Sequence, residues 1–200
     1  MIEIHSAQKK DVPDIVDIHL QSFPDFFLTQ LGKDFLNLYY CSVLEHPQGI
    51  LLVSTNETGE AIGFCAGTVV SSGFNGRIVK DNFISYSLEG LKLLFTKPLR
   101  LLRLLKNMSK ENSKVGDKGE YAELMSIGVN PNTQRTGAGK AMLLAFEDEV
   151  RKYGSRDVSL TTDYYENEKA IGFYHSMGYK EWYDFVTYPD RRMYRMIKNL

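Results

Sequence analysis

The chain has 200 residues, enough for one domain with a hydrophobic core and no stabilising disulfides. Apolar residues make up 43% of it and charged residues 24%, as in an ordinary globular protein. The formal net charge of −1 gives no global attraction to nucleic acid, so no nucleic-acid partner is expected.

The cysteines and the apolar pattern predict a soluble cytoplasmic protein. Cys41 and Cys65 lie far apart in apolar stretches, which is typical of free thiols in a reducing compartment. No apolar run approaches the roughly 20 residues of a membrane span. The first residues alternate polar and apolar, so no signal peptide is expected.

The first 70 residues predict three strands and two helices. In chain order these are a strand over 2–6, a helix from about 11, a helix over 32–44, and strands over 49–54 and 61–70. The last two strands form a hairpin. Gly63 and Gly67 within its second strand indicate a bulge or a close approach of another backbone.

Between residues 71 and 118 the strand pattern stops. Polar turns precede a leucine-rich helical stretch over about 87–109, interrupted at Pro98. Three interpretations stay open for this insertion. It is a helical hairpin packed on the core with a solvated basic face, or a lid or wall of an acceptor pocket. In the third, basic helices at about 87–110 contact an anionic membrane or an acidic partner.

The last eighty residues alternate strands and helices, which together with the first part predicts a mixed α+β fold. The predicted elements are a strand over 121–129, a helix over 137–153, a strand over 158–162, a helix over 166–177, and strands over 180–188 and 191–198.

A loop with two glycines links the strand over 121–129 to the next helix. Its residues are Gln134, Arg135, Thr136, Gly137, Ala138 and Gly139, followed by Lys140. Glycines let a backbone approach a ligand closely, and the first N–H groups of a helix are unpaired at the positive end of its dipole. The loop therefore predicts a site for an anion such as pyrophosphate, although alone it reads equally as a tight turn.

Two motifs resemble those of the GNAT superfamily of acetyltransferases. The loop is similar to the Gln/Arg-x-x-Gly-x-Gly/Ala signature, and residues 167–179 are similar to the Asn-x-x-Ala-x-x-Phe-Tyr-x-x-x-Gly-Phe/Tyr element. The resemblance is clearest over 121–183, and Ala138 departs from it because a larger aliphatic residue is commoner there.

The resemblance implies a fold. It is a central mixed, mostly antiparallel twisted sheet flanked by helices, formed by residues 1–200 as a single domain. The helical insertion, at about 71–118, falls between the third and fourth strands.

The resemblance also implies an acetyl-CoA-dependent N-acetyltransferase that moves an acetyl group to a primary amine by direct attack on the thioester. Acetyl-CoA is then a co-substrate, and Tyr174 protonates the departing thiolate. The implied cofactor contacts are Ile127, Gly128, Val129, Gln134, Arg135, Thr136, Gly137, Ala138, Gly139, Lys140, Asn167 and Tyr174. No metal is expected, because the four histidines show no ligand spacing.

Amine acetylation needs a base, and Glu123 is the predicted one because it lies on the strand leading to the cofactor. Asp163 and Tyr164 are second candidates, and His175 is a weaker one. Each motif residue also has a structural interpretation. Glu123 is then a cross-strand or surface glutamate, Asn167 a simple N-cap, and Tyr174 a packed core tyrosine.

The acceptor, a small-molecule or peptide amine, cannot be identified from the sequence. Two functions of other classes stay open. One is a non-catalytic acyl-CoA-binding sensor or scaffold module, and the other is a peripheral membrane-associated protein.

Overall fold

The computed structural model describes residues 2–108, 116–133 and 137–200. The described residues form β1 (Glu3–Ser6), α1 (Val12–Ser22), α2 (Phe27–Leu31), α3 (Lys33–Glu45), β2 (Gly49–Thr55), β3 (Ala61–Thr68), α4 (Phe74–Asp81), α5 (Phe83–Thr96), α6 (Pro98–Met108), β4 (Ala122–Val129), α7 (Ala138–Lys152), β5 (Asp157–Asp163), α8 (Glu168–Ser176), β6 (Lys180–Thr187) and β7 (Arg191–Asn199).

The seven strands form one sheet in the order β1-β2-β3-β4-β5-β7-β6. All neighbours are antiparallel except β4 and β5, which are parallel. The predicted mixed, mostly antiparallel sheet is therefore confirmed. The basic C-terminal strand β7 lies between β5 and β6, so it is a full member of the sheet.

Helices cover both faces of the sheet and create two hydrophobic cores. On one face α1 and α3 bury apolar residues at helical spacing, such as Ile15 and Leu36, against β2 and β3. On the other face α7 buries Met142, Phe146 and Val150, whose spacing of four residues places them on one side of that helix.

The insertion between β3 and β4 is more helical than predicted. Helices α4 and α5 begin at Phe74 and Phe83, where polar turns were expected. The reason is tertiary: Phe74, Ile78 and Leu93 are buried in the same core as α1 and α3. Residues 109–115 of the predicted insertion lie outside the described residues.

The basic side of α6 is partly solvated, because Arg100 is exposed while Arg103 is half-buried against the protein. The Arg103 guanidinium lies 4.9 Å from the centre of the Phe27 ring and donates to the Tyr188 carbonyl at 3.2 Å. Arg100 donates to the Gln30 carbonyl at 2.5 Å. Leu99 is exposed as well. Arg100 and Arg103 make these contacts because carbonyl groups and an aromatic ring of α2 and of the β6–β7 turn lie next to α6.

Candidate active site

The site begins where two central strands separate. β4 and β5 pair only over Ala122–Leu124 with Val158–Leu160. The β3–β4 register shifts between Ala66 and Gly67, so that Met125 is an extra residue in β4. Beyond it the edge of β4 toward β5 has no strand partner, and its main-chain N–H and C=O groups face an open cleft.

Gly67 permits this bulge because no side chain fits there. A Cβ at Gly67 would lie 2.3 Å from the Glu123 carbonyl oxygen and 2.5 Å from the Phe146 ring. The predicted meaning of this glycine, a bulge with close backbone approach, is confirmed.

One cavity, of about 630 Å³, lies between the end of β4, the start of α7 and α8. Eight of the twelve predicted cofactor contacts line it: Ile127, Gly128, Val129, Gly137, Ala138, Gly139, Lys140 and Tyr174. Gln134, Arg135 and Thr136 lie outside the described residues. The structure therefore brings together the two motifs that the sequence suggested were neighbours.

The start of α7 has the geometry of an anion cradle. Gly137 has a φ of +84°, a left-handed conformation that favours glycine. The N–H of Ala141 donates to the Gly137 carbonyl at 3.0 Å, so the N–H groups of residues 138–140 precede the first helical bond. Next to Gly139 the nearest atom to an added Cβ is a Val129 methyl at 3.8 Å, which leaves the backbone approachable. These features fit the pyrophosphate of a coenzyme A molecule.

A second cavity, of about 300 Å³, lies deeper in the cleft beside β5 and β7. Its apolar walls include Phe23 and Phe26, and its polar groups include Asp163, Asn167 and Arg191. Four residues line both cavities: Phe23, Ile127, Ala170 and Tyr174. The two cavities therefore adjoin, with Tyr174 at their junction.

Tyr174 is largely buried on α8. Burial raises the pKa of its hydroxyl to about 12. Among the described residues no group forms a hydrogen bond with that hydroxyl. The Tyr174 hydroxyl is thus protonated and able to donate a hydrogen bond at the junction of the two cavities.

Asn167 does not cap α8 through its side chain. Its Nδ2 donates to the Thr162 hydroxyl at 2.6 Å and to the Asp163 carbonyl at 3.1 Å. The side chain therefore fixes the start of α8 to the end of β5 and lines the second cavity.

Asp163 and Arg191 carry the charges of the second cavity. Their side chains form a bidentate pair, with Arg191 Nε 2.5 Å from Oδ1 and Nη2 2.7 Å from Oδ2. The Arg191 guanidinium also lies 4.5 Å from the centre of the Phe26 ring. The Asp163 side chain keeps 41% of its surface exposed, so a bound molecule has access to it.

Glu123 lies elsewhere and lines neither cavity. Its carboxylate accepts from Arg195 Nη1 at 2.5 Å and from the Ser71 hydroxyl. Both members of the ion pair are mostly buried. These contacts fit the interpretation of Glu123 as a cross-strand glutamate. Its role as the base stays a prediction.

Tyr164 and His175, the other two base candidates, also lie outside both cavities. The Tyr164 ring stacks on Tyr194 with 4.5 Å between ring centres. His175 Nε2 lies 2.8 Å from a Glu181 carboxylate oxygen, on an exposed surface.

Phe23, Phe26, Arg191 and Met193 line the second cavity, and the sequence did not indicate them. The phenylalanines follow α1 with no motif, and the other two reach the cleft only because β7 pairs with β5. For Arg191 and Met193 the one available signal was the strand pattern of β7, because alternate side chains of a strand point to the same face of the sheet.

Within the described residues, no three His, Cys, Asp or Glu side chains are grouped as metal ligands. None of the described helices is long and apolar enough to span a membrane.

Comparisons with known proteins agree with this architecture. The family model for the acetyltransferase (GNAT) family matches residues 12–179. The mycothiol acetyltransferase of Kocuria rhizophila is 32% identical over 73 residues, which cover 36% of this chain and 24% of that protein. The match thus spans about a quarter of that relative's length.

Solved structures share the fold at low identity. The ribosomal-protein-S18-alanine N-acetyltransferase from Escherichia coli has a TM-score of 0.63 and 19% identity, covering 100% of this chain and 94% of that one. YncA, a putative acetyltransferase from Salmonella typhimurium with its cofactor acetyl-CoA, has a TM-score of 0.61 and 17% identity, with coverage of 100% and 94%.

The mixed seven-stranded sheet with helices on both faces gives this chain the fold of these solved acetyltransferase structures. The chain belongs to the acetyltransferase (GNAT) family, because the family model covers most of it. The predicted family and fold class are confirmed.

Proposed function

We propose that this chain is an acetyl-CoA-dependent N-acetyltransferase that acts on a primary amine. The observation that carries the proposal is the opening between β4 and β5, with the N-terminus of α7 at one end and Tyr174 at the junction of two cavities. A binding module needs only the larger cavity. The second cavity, with polar groups beside the junction, favours an enzyme with an acceptor site.

The cofactor contacts are proposed residue by residue. The free edge of β4 from residue 125 to 129 holds the pantetheine arm through main-chain hydrogen bonds. The start of α7 holds the pyrophosphate, with Lys140 adding positive charge and residues 134–136 completing the loop. Acetyl-CoA, as co-substrate, supplies the acetyl group as a thioester.

Side chains at the junction of the two cavities assist the transfer of the acetyl group. The neutral amine attacks the thioester carbonyl directly, the C–S bond breaks, and the Tyr174 hydroxyl gives its proton to the leaving sulfur. The amine must lose a proton. Asp163 is better placed than Glu123 to accept it through water, because Asp163 lines the second cavity. Glu123 stays the alternative base.

The acceptor is proposed to be a small-molecule or peptide amine. The second cavity is small, at about 300 Å³, and partly aromatic, which supports an amine carried on a small group. We also propose that residues 1–200 form a single domain, since α4 and α5 share the core of α1 and α3. A cytoplasmic location is supported by the free thiols of Cys41 and Cys65.

The test is a panel of primary amines, including peptide N-termini, lysine side chains, polyamines and amino sugars, assayed by release of free CoA thiol. Binding of acetyl-CoA is measured separately by calorimetry. We expect tight binding and turnover with at least one class of amine. Binding without turnover on any amine would favour the sensor or scaffold function, and no binding would overturn the proposal.

A further inference from the structure

The insertion carries a large apolar surface that no described part of the chain covers. Nine large apolar side chains on α5 and α6 have exposed fractions from 46% to 81%, and seven of them form regular strips. The seven are Ile84, Leu88, Leu91 and Phe95 on α5, and Leu99, Leu102 and Leu105 on α6. We call these seven residues the leucine face.

The leucine face is regular on each helix. On α5 its members are separated by four, three and four residues, and on α6 by three, so each set forms one strip along its helix. The opposite sides of the same helices are anchored, because Leu93 is buried and Leu101 and Leu104 pack on the core. The two helices contact each other across the Lys97–Pro98 turn. The exposed strips therefore belong to a fixed, folded surface.

Positive charge runs beside this surface. Residues 83–108 contain five cations and one acid, a net charge of +4 in a chain of net charge −1. On α6 each exposed leucine is followed directly by Arg100, Arg103 or Lys106, so a basic strip lies about 100° around the helix from the leucines.

Three cations beside the leucine face have only neutral hydrogen-bond partners among the described residues. Arg100 and Arg103 donate to main-chain carbonyls, as does Lys97 to Leu31 at 2.9 Å. Among the described residues no carboxylate forms an ion pair with any of these three. An apolar strip beside Arg100 and Arg103, whose partners are neutral carbonyls, is the pattern of a helix that lies in an anionic membrane interface.

A second copy of the chain fits the face less well. In a two-fold symmetric interface the basic strips of both copies would lie close together, and like charges across an interface are unfavourable. Anionic lipid headgroups complement the strip while the acyl region takes the leucines. We propose that α5 and α6 dock the protein on anionic phospholipid bilayers, with the leucine face inserted and the basic strip at the headgroups.

This inference is independent of the proposed chemistry, but it has a geometric consequence. α6 packs on α2, which directly follows Phe26, and on the turn that leads to Arg191. Both residues line the second cavity. Docking would therefore hold that cavity next to the membrane surface, where the acceptor amine would be presented.

The experiment is sedimentation of the full chain with phosphatidylcholine vesicles, prepared with and without phosphatidylglycerol, at low and high salt. The variant Leu88→Ser/Phe95→Ser/Leu99→Ser removes three of the exposed side chains. A matched control, Leu144→Ser/Val186→Ser, removes exposed apolar groups on α7 and β6. All changes are at exposed positions, so unchanged thermal unfolding is expected and is checked for each protein.

We expect binding to the phosphatidylglycerol vesicles, weakened by salt, that falls at least tenfold in the triple variant and is unchanged in the control. Arg100→Gln/Lys106→Gln should weaken binding several-fold at low salt only. Absence of binding to anionic vesicles would overturn the proposal. So would a concentration-dependent dimer in analytical ultracentrifugation that the triple variant abolishes, because the face would then belong to a second copy.

Discussion

Tyr174 is the residue whose position most directly fits a catalytic role. Because burial raises the pKa of its hydroxyl to about 12, the phenol stays protonated throughout the neutral range and remains available to the leaving sulfur. Tyr174→Phe should lower kcat by roughly 10²-fold while the KM for acetyl-CoA changes little, since the ring is retained. Steady-state kinetics measures this. Tyr165→Phe, at an exposed ring, is the control, and an unchanged kcat in Tyr174→Phe would contradict the role.

The proton acceptor can be assigned by comparing two carboxylates. Asp163→Asn should remove the acidic limb of the pH profile of kcat/KM, because the base that the limb reports is gone. Glu123→Gln should instead lower the melting temperature, because Arg195 loses its ion-pair partner in a mostly buried place. Arg191→Gln controls for the loss of the Asp163 pair and should keep the acidic limb. A profile that loses its limb only in Glu123→Gln would make Glu123 the base.

The sequence predicted the site residues that belong to a motif and did not predict those outside any motif. Gly137, Gly139, Asn167 and Tyr174 sit in local patterns, and their placement depends on one helix start and one short helix. Arg191 enters the cleft through the pairing of β7 with β5, which joins residues about thirty positions apart. The neighbours of Glu123 were unpredictable for the same reason, since Arg195 and Ser71 come from distant segments.

At the scale of elements, the bulge between β3 and β4 opens the cleft, and Gly67 makes it sterically possible. Gly67→Ala should lower the free energy of unfolding by at least about 2 kcal/mol, because the new methyl meets the Glu123 carbonyl and the Phe146 ring. Urea denaturation measures the change. Gly90→Ala is the control: it lies in α5 with open space around it, and it should be neutral or stabilising by up to about 1 kcal/mol. Equal stabilities of the two variants would refute this account of the bulge.

The elements themselves were predictable where one face is apolar and the pattern is long. β2, β3, β4 and α7 have apolar residues at strand or helix spacing, and their ends differ little from the prediction. α2 is only five residues long, and Lys97 binds the carbonyls at its end from the turn between α5 and α6, so local sequence gives little signal. In α6 leucines occur on more than one side of the helix, and periodicity alone cannot say that Leu101 and Leu104 pack on the core while Leu99 is exposed.

At the scale of the whole molecule, a buried histidine on α1 affects the free energy of unfolding and also contacts residues that line the second cavity. His19 is fully buried on this helix, among the rings of Phe23, Phe26, Tyr40 and Phe64. Its Nδ1 lies 2.6 Å from the Tyr40 hydroxyl, and no described group satisfies Nε2. Burial lowers the pKa of His19 from 6.5 to about 4. The His19 imidazole must therefore be neutral when this aromatic cluster is packed.

The sign of the pH effect follows from proton binding. Between the two pKa values the unfolded chain takes up a proton that the folded chain refuses, so the free energy of unfolding decreases as the pH falls from 6.5 toward 4. The full contribution is present above pH 6.5 and is worth roughly 3 kcal/mol relative to the acid limit. His19→Leu should flatten the dependence between pH 6.5 and about pH 4, at some loss of stability at neutral pH because Tyr40 loses its partner.

Urea denaturation across that range is the measurement, with His175→Gln as the control because His175 is exposed. The control should keep the slope of the parent protein. A slope retained by His19→Leu would mean that other groups cause the acid sensitivity. Because Phe23 and Phe26 line the second cavity as well as this cluster, protonation should also loosen the acceptor wall before global unfolding. The parent protein should then lose acceptor turnover at a higher pH than it loses acetyl-CoA binding.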